Sequence, residues 1–280
     1  MGDCQYCHTK AGLFKKAHEA CAKDAEEART KLRQYIKEAI NSGRGAKESV
    51  PEIDVIKQTG RLSEEEARLV LLKSADEVAF EIALKIPLSN EEADRISDLF
   101  TAIDDQCFKD VSKLCSMPGL VSLSHSNIIY QVLHGQVPHY DPGGFQDFRF
   151  NKGEHPIVRR LATLGEYRSV ASGGNYQSVS IPVGAGVYYR VGTSQPRTQQ
   201  TGLVPVDNGT LVITTQAIYF SSHITTFRIP YESIVRLESF VDGFGVYENY
   251  GSGKVFIPAL LGTSDEGWYF YNLVSALSAW

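Results

Sequence analysis

The stretch Gly209-Thr-Leu-Val-Ile-Thr-Thr-Gln-Ala-Ile-Tyr-Phe-Ser-Ser-His-Ile-Thr-Thr-Phe-Arg-Ile-Pro-Tyr-Glu-Ser-Ile-Val-Arg-Leu-Glu-Ser-Phe240 decides the fold of the C-terminal half. β-branched and aromatic residues fill it and short polar breaks divide it, which is the composition of successive antiparallel strands. It carries no acid, base or nucleophile set out for chemistry. Working outward, the same pattern predicts strands at Ile157–Thr163, Arg168–Ala171, Ser178–Pro182, Gly186–Val191, Leu203–Val206, Thr210–Thr214, Ala217–Ser221, Thr225–Ile229, Ile234–Phe240, Phe244–Glu248 and Lys254–Ile257. Asp242-Gly243 is a hairpin signal, and Tyr231-Glu232-Ser233 is a short connector. One helix closes the chain, roughly Asp265 to Ala279, with Phe270, Leu273, Val274 and Leu277 on one face and Trp268 and Trp280 bracketing it.

Upstream of Asp141-Pro142-Gly143-Gly144 the pattern turns helical, from Pro51 to about Leu133. Ser63-Glu64-Glu65-Glu66 is a capping box: the Ser63 hydroxyl can take the Glu66 N–H while the Glu66 carboxylate reaches back. Ala67, Val70, Leu71, Ser74, Val78 and Ile82 then mark a buried face. Ser89-Asn90-Glu91-Glu92 repeats the device ahead of Ala93, Ile96, Leu99, Phe100 and Ile103, with Pro87 between the two helices. A third segment, Phe108 to Leu114, is expected to end near Pro118-Gly119, and a fourth runs from about Ser124 to Leu133. The prolines around His134-Gly-Gln-Val-Pro-His139-Tyr-Asp141 make that run an extended linker. His125, His139, Asp141 and His155 would become a hydrolytic set only if the fold gathered them into one pocket.

The sharpest chemical signal lies at the N-terminus. Cys4-x2-Cys7 is followed, after ten intervening residues, by His18-x2-Cys21. Two Cys with two residues between them can clamp one metal, and a His and a Cys three apart share a helix face and can complete a tetrahedron. Gly12 permits the tight return between them. Four protein ligands leave no open position, so the expected ion is a structural zinc. The bland alternative is three free thiols. His8 is a competing ligand, but His18 has the better spacing. Lys10, Lys15, Lys16 and Lys23 around the knuckle suit a nucleic-acid contact, or simply a solvated face with Glu19, Asp24, Glu26 and Glu27 among them. From Phe14 to about Ile40, apolar positions step by three and four through Ala17, Cys21, Ala25, Ala28, Leu32, Tyr35 and Ala39. That seam predicts a long helix packed on another helix, in this chain or in a second copy. Asn41-Ser42-Gly43-Arg44-Gly45 stops it.

Charge is unevenly spread over the 280 residues, whose formal net charge is −5. Residues 1–50 hold ten Lys/Arg against seven Asp/Glu, residues 51–144 hold eight against sixteen, and residues 145–280 hold ten against ten. The acidic middle argues against a nucleic-acid groove there. Arg149, Lys152, Arg159, Arg160, Arg168, Arg190 and Arg197 oppose only Asp147, Glu154 and Glu166 in the first part of the β-rich half. Of these, Arg159, Arg160, Arg168, Arg190 and Arg197 form the candidate partner surface. An anionic membrane would gain roughly 1 kcal/mol for each basic residue brought to it; pairing with acids elsewhere is the alternative. No run of about 18 apolar residues occurs, so no membrane-spanning helix is expected. Met1-Gly2-Asp3-Cys4-Gln5-Tyr6 does not read as a secretory signal, and Tyr6 stands where a myristoylation motif wants Ser or Thr. Five Cys, three of them in the first 21 residues, suggest a metal site in a reducing compartment instead of a disulfide framework.

Gly60-Arg61-Leu62-Ser63-Glu64-Glu65-Glu66 resembles the turn-then-helix signature of TerB-like helical domains, although Arg61 departs from the acidic residue usual there. Many short strands closed by one amphipathic helix resemble the pleckstrin-homology and GRAM-like superfold. Gly186-Val-Tyr-Tyr-Arg-Val-Gly192, Asp207-Asn-Gly-Thr-Leu-Val-Ile-Thr214, Ile218-Tyr-Phe220, Phe227-Arg-Ile-Pro230, Ser233-Ile-Val235, Asp242-Gly243 and Gly267-Trp-Tyr-Phe-Tyr-Asn-Leu273, together with the Cys/His knuckle, are similar to an uncharacterised family of bacterial proteins. The expected architecture is therefore α+β in three modules. Residues 1–45 form a zinc knuckle and long helix, residues 46–140 an acidic TerB-like helical domain, and residues 141–280 a pleckstrin-homology-like antiparallel barrel closed by a C-terminal helix. The expected function is a non-enzymatic cytoplasmic adaptor that binds a protein partner, at the membrane face or away from it, and the TerB-like resemblance implies a setting in bacterial stress or phage defence. A nucleic-acid-associated zinc protein is the alternative.

Overall fold

The computed structural model describes residues 2–11, 16–110, 116–138, 148–171, 176–184, 187–194, 199–249, 253–258 and 266–279, and over 168–202 it describes the backbone only. The first helix, α1 (Glu19–Asn41), follows the expected seam: Cys21, Ala25, Ala28, Leu32, Tyr35, Ile36, Ala39 and Ile40 are buried. Its end is a Schellman motif. Gly43 takes a φ of 76°, the Arg44 N–H reaches the Ala39 carbonyl at 2.8 Å, and the Gly43 N–H reaches Ile40 at 3.2 Å. The seam packs within the chain, against α2 (Ala46–Thr59) and α3 (Glu64–Ala83).

Both capping boxes form. Ser63 and Glu66 open α3, and Ser89 and Glu92 open α4 (Asn90–Ile103). The next helix, α5, differs from expectation. It spans Pro118–Leu133, so Pro118-Gly119 begins a helix where the dipeptide reads as a stop. Proline at the first helical position gives up only an N–H that would be unpaired there. The N–H of Leu120 finds its acceptor on another element, the Asp76 carboxylate of α3, at 3.2 Å. The expected segment Phe108–Leu114 falls partly outside the described residues.

The β-rich half holds a seven-stranded antiparallel sheet in the order β6-β5-β4-β1-β9-β8-β7, with β2 and β3 forming a separate two-stranded ribbon. The strands are β1 (Pro156–Ala171), β2 (Tyr176–Gly184), β3 (Val187–Ser194), β4 (Gln199–Thr214), β5 (Ala217–Ser221), β6 (Thr226–Pro230), β7 (Ile234–Ser239), β8 (Phe244–Glu248) and β9 (Lys254–Pro258). β6 and β7 lie at opposite edges, yet only the single turn Tyr231–Ser233 joins them. Such a link requires the sheet to curl, and it forms a half-barrel. Two pairs of expected strands are each one long strand here: β1 and β4 have 16 residues apiece. A register shift at Leu164/Gly165, which leaves Val206 of β4 without a partner in β1, falls between the two stretches expected as separate strands. Asp207-Asn208-Gly209 lies within β4, where Thr163 pairs Asn208 and Ala162 pairs Gly209.

The terminal helix α6 (Glu266–Leu277) covers the inside of the curl. Tyr269, Phe270, Leu273, Val274 and Leu277 share a core with Leu211, Ile213, Phe220, Phe244 and Phe256. Phe244 stacks on Phe256 and Phe270 at ring separations of 5.2 and 5.4 Å. Burying each such ring contributes about 2–3 kcal/mol. Helix α5 serves two cores: Leu120 and Leu123 belong to the helical one, and Ile129 and Val132 to the one beneath the curled sheet. Between these pairs, His125 stacks on Tyr269 of α6 with ring centres 3.8 Å apart.

Candidate metal centre and partner surface

Residues 2–11 fold back on themselves. Asp3 bridges Lys10, the Ala11 N–H reaches the Gly2 carbonyl at 3.1 Å, and the Cys4 N–H reaches the Thr9 carbonyl at 2.7 Å. This small return places Cys4 and Cys7 side by side. His18 and Cys21 come from the start of α1, though not as two helical residues: His18 is the extended N-cap, and Cys21 lies three positions on. That is the spacing at which an N-cap side chain meets the first turn. Gly12, expected to permit the return, lies outside the described residues.

The ligand atoms of Cys4, Cys7, His18 and Cys21 all lie within 4.8 Å of one another, and these four residues could hold a metal ion. A tetrahedral ion bound by sulfur at about 2.3 Å needs ligand separations of roughly 3.5–4 Å, so the group is close to closing on one. His18 Nδ1 faces Cys7 Sγ at 3.3 Å and Cys21 Sγ at 3.9 Å. Its Nε2 sits 3.0 Å from the Lys10 carbonyl oxygen. A carbonyl only accepts, so Nε2 carries the proton and Nδ1 turns its lone pair toward the sulfurs. His8, the competing ligand, is exposed and stands outside the group.

The thiols are unequal. Burial pushes the Cys4 thiol up, but backbone N–H groups of Cys7, His18 and Tyr6 outweigh it and bring the value down to about 6. The Thr9 hydroxyl lowers Cys7. Burial raises Cys21, and its neighbouring sulfurs add to the effect. The bond to the Lys10 carbonyl raises His18. Two thiols primed to ionise beside one that resists is the electrostatic pattern a divalent cation would relieve.

The knuckle rests on the helical module. Arg29 of α1 donates to the Tyr6 hydroxyl at 2.8 Å and to Glu66 at 3.0 Å. Arg61 donates to Cys21 Sγ at 3.4 Å. Sequence reasoning singled out none of the Tyr6, Thr9, Lys10-carbonyl or Arg61 contacts. Only the departure of Arg61 from an acidic pattern marked it. The acidic residues of that pattern are ion-paired: Glu64 with Lys57 at 2.8 Å, Glu65 with Arg68 at 2.7 Å and Glu66 with Arg29 at 3.0 Å. Among the described residues, the Cys/His knuckle is the one group of three or more potential ligands drawn this close.

The other candidates scatter. Arg159 and Arg160 are successive residues of β1, so they point to opposite faces of the sheet. The Arg160 Nη1 donates to the Arg159 carbonyl at 3.0 Å. Arg168 lies at the far end of β1 and Arg190 in β3, while Arg197 lies outside the described residues. Of the hydrolytic set, His125 is buried in its stack on Tyr269, and His155 is exposed just before β1. His139 and Asp141 lie outside the described residues. Lys10, Lys16 and Lys23 are exposed around the knuckle, and Lys23 pairs with Glu27 at 3.9 Å. Among the described residues no helix is long and apolar enough to cross a membrane. No protein-family model matches the chain, and no curated protein matches it significantly in sequence.

Proposed function

We propose that this chain is a non-enzymatic cytoplasmic adaptor of bacterial stress or phage defence. A structural zinc ion staples its N-terminus, and its β-module binds a protein partner. The observation that carries the reading is the four-ligand group itself. Three sulfurs and one imidazole nitrogen are a soft donor set that suits zinc, and all four positions come from protein, so a bound ion keeps no place for substrate. Thiolate ligands also suit a reducing compartment.

The pleckstrin-homology-like reading of the β-module draws support from its topology. The main sheet begins and ends with strands that are neighbours in sequence, and a terminal helix fills its curl. The β2–β3 ribbon is inserted between β1 and β4, and this insertion is where we place the partner surface. From Tyr167 to Val206 the chain has three Arg and no Asp, Glu or Lys. An acid-free projection on a chain of net charge −5 favours an acidic partner face, whether on a protein or at an anionic membrane.

The test pairs metal analysis of the full-length chain with pull-down from the native host. The Cys4→Ser/Cys7→Ser variant and an Arg168→Ala/Arg190→Ala/Arg197→Ala variant run beside the wild type. One zinc per chain, lost with the two Cys, and a defined protein lost with the three Arg are the expected results. Nuclease-sensitive recovery of nucleic acid through the knuckle would replace the adaptor reading with the nucleic-acid one. Absence of bound metal would remove the zinc.

A further inference from the structure

We infer that Arg61 is a positioning residue of the metal centre: its guanidinium holds the Cys21 sulfur from outside the ligand set and ties the ion to the turn between α2 and α3. The inference rests on the zinc reading above and extends it to a residue that supplies no ligand atom.

Three independent observations converge on Arg61. The first is its bonding. Its chain runs through the acidic part of the sequence, and the nearby cations Arg29, Lys57 and Arg68 all pair with carboxylates. Arg61 makes no ion pair among the described residues, and its Nη1 points at Cys21 Sγ, 3.4 Å away and forty residues distant in sequence. The second is its backbone. Arg61 has a φ of 50°, and among the described residues only His8 shares the left-handed region without being glycine. A residue with a Cβ gives up about 1 kcal/mol or more there, and glycine would not. Keeping arginine at such a position points to a use for the side chain.

The third is placement. A Cβ on Gly60 would stand 2.1 Å from the Ala28 Cβ, so the turn presses directly on α1, two helical turns below Cys21. From there the long Arg61 side chain reaches the start of α1. A second tie runs parallel, because Arg29 joins Tyr6 of the knuckle to Glu66 of the α3 capping box. Electrostatics gives the contact its purpose. Three thiolates around a divalent ion leave one net negative charge, and an N–H donated by a guanidinium to a thiolate offsets that charge where it sits. Partners of this kind fix the orientation of a ligand and slow its departure.

The test uses the full-length chain loaded with zinc, and separately with cobalt(II) as a spectroscopic stand-in. Arg61→Gly removes the guanidinium and suits the local backbone, so the variant keeps its fold. Arg61→Lys keeps the charge without the planar fork. Arg33→Ala, on the exposed face of α1, is the control. Arg61→Gly should bind one ion per chain but release zinc to a chelator about tenfold faster. Its thiolate-to-cobalt absorption band should also shift, and Lys should restore part of each effect. In the wild type, stripping the metal should lower amide-exchange protection across residues 60–66; in Arg61→Gly, stripping should change it much less. If the wild type binds no metal, the zinc reading and this inference fall together. If the wild type holds its ion and Arg61→Gly matches it in release rate and cobalt band, this inference alone is overturned.

Discussion

Replacing Asp76 by Asn should stabilise the protein at neutral pH and flatten part of its pH dependence. Asp76 projects from α3 toward the N-terminus of α5 and accepts the Leu120 N–H at 3.2 Å. A carboxylate receiving backbone N–H groups at a helix start would ordinarily ionise more easily. Burial is the larger effect here, with Glu77 adding a like charge, and the carboxyl is pushed from 3.8 up to about 6. The folded chain therefore keeps a proton on Asp76 that the unfolded chain gives up. Stability from this group is fully present below about pH 4 and is lost as the pH rises through about 6. Each factor of ten in proton affinity is worth about 1.4 kcal/mol, which sets a ceiling of about 3 kcal/mol. The side chain is only half-buried, and solvent screening brings the expected figure to about 1–2 kcal/mol. Asn keeps an acceptor for the Leu120 N–H and carries no charge to bury. Urea denaturation of wild type and Asp76→Asn from pH 4 to pH 8 should give a difference near zero at the acid end, growing in favour of Asn to about pH 6 and level above. Taking the difference cancels the other carboxylates and any loss of metal in acid. A difference that stays flat, or that favours the wild type increasingly with pH, would refute the argument that burial outweighs the helix terminus.

Two further outcomes follow from the packing. The Glu154 side chain is fully buried and accepts from the Thr214 hydroxyl, the Tyr219 hydroxyl at 2.9 Å and the Asn151 N–H at 3.0 Å, with Arg228 at 3.8 Å. Glu154→Ala should cost about 3 kcal/mol by stranding these donors, and Glu154→Gln about half as much; a loss below about 1 kcal/mol for Ala would show that the network rearranges. Because α5 serves both cores, unfolding followed by far-UV circular dichroism and by tryptophan fluorescence should coincide, and Ile129→Ala should move both transitions by about 2–4 kcal/mol. Separate midpoints would mean that the two cores melt independently.

What could be read from the sequence was what is decided locally. Both capping boxes sit within four residues, and each formed as spelled. The four metal-site residues were legible because their spacing alone nearly dictates the group. The start of α5 was not, since the acceptor that makes Pro118-Gly119 a beginning belongs to α3, about forty residues earlier. The two long strands were hidden for a related reason. Gly209 falls between the two stretches expected as separate strands, and a Cβ there would lie 2.5 Å from the Ser221 carbonyl oxygen, so the glycine serves close strand packing. The tie from Arg61 to Cys21 spans forty residues and follows no pattern that periodicity or motif spacing detects.

The placement of the knuckle bears on what its metal would do. Cys4, Tyr6 and Ala11 are buried in the same core as α1 and α3, so this is not a freestanding finger with two open faces. One face is committed to the helical module, through Arg29 and through Arg61. The helices are in turn joined to the curled sheet by α5, whose His125 lies flat on Tyr269. A metal in such a knuckle acts as a staple: its binding energy holds the first twenty residues against a bundle that already has a core of its own. That separates its role from recognition. It would stabilise the first twenty residues, whereas the acid-free β2–β3 insertion belongs to the sheet half, where β1 and β4 run on beyond the strands that flank them. On the proposed adaptor reading, partner binding should therefore survive chelation that unpins the knuckle.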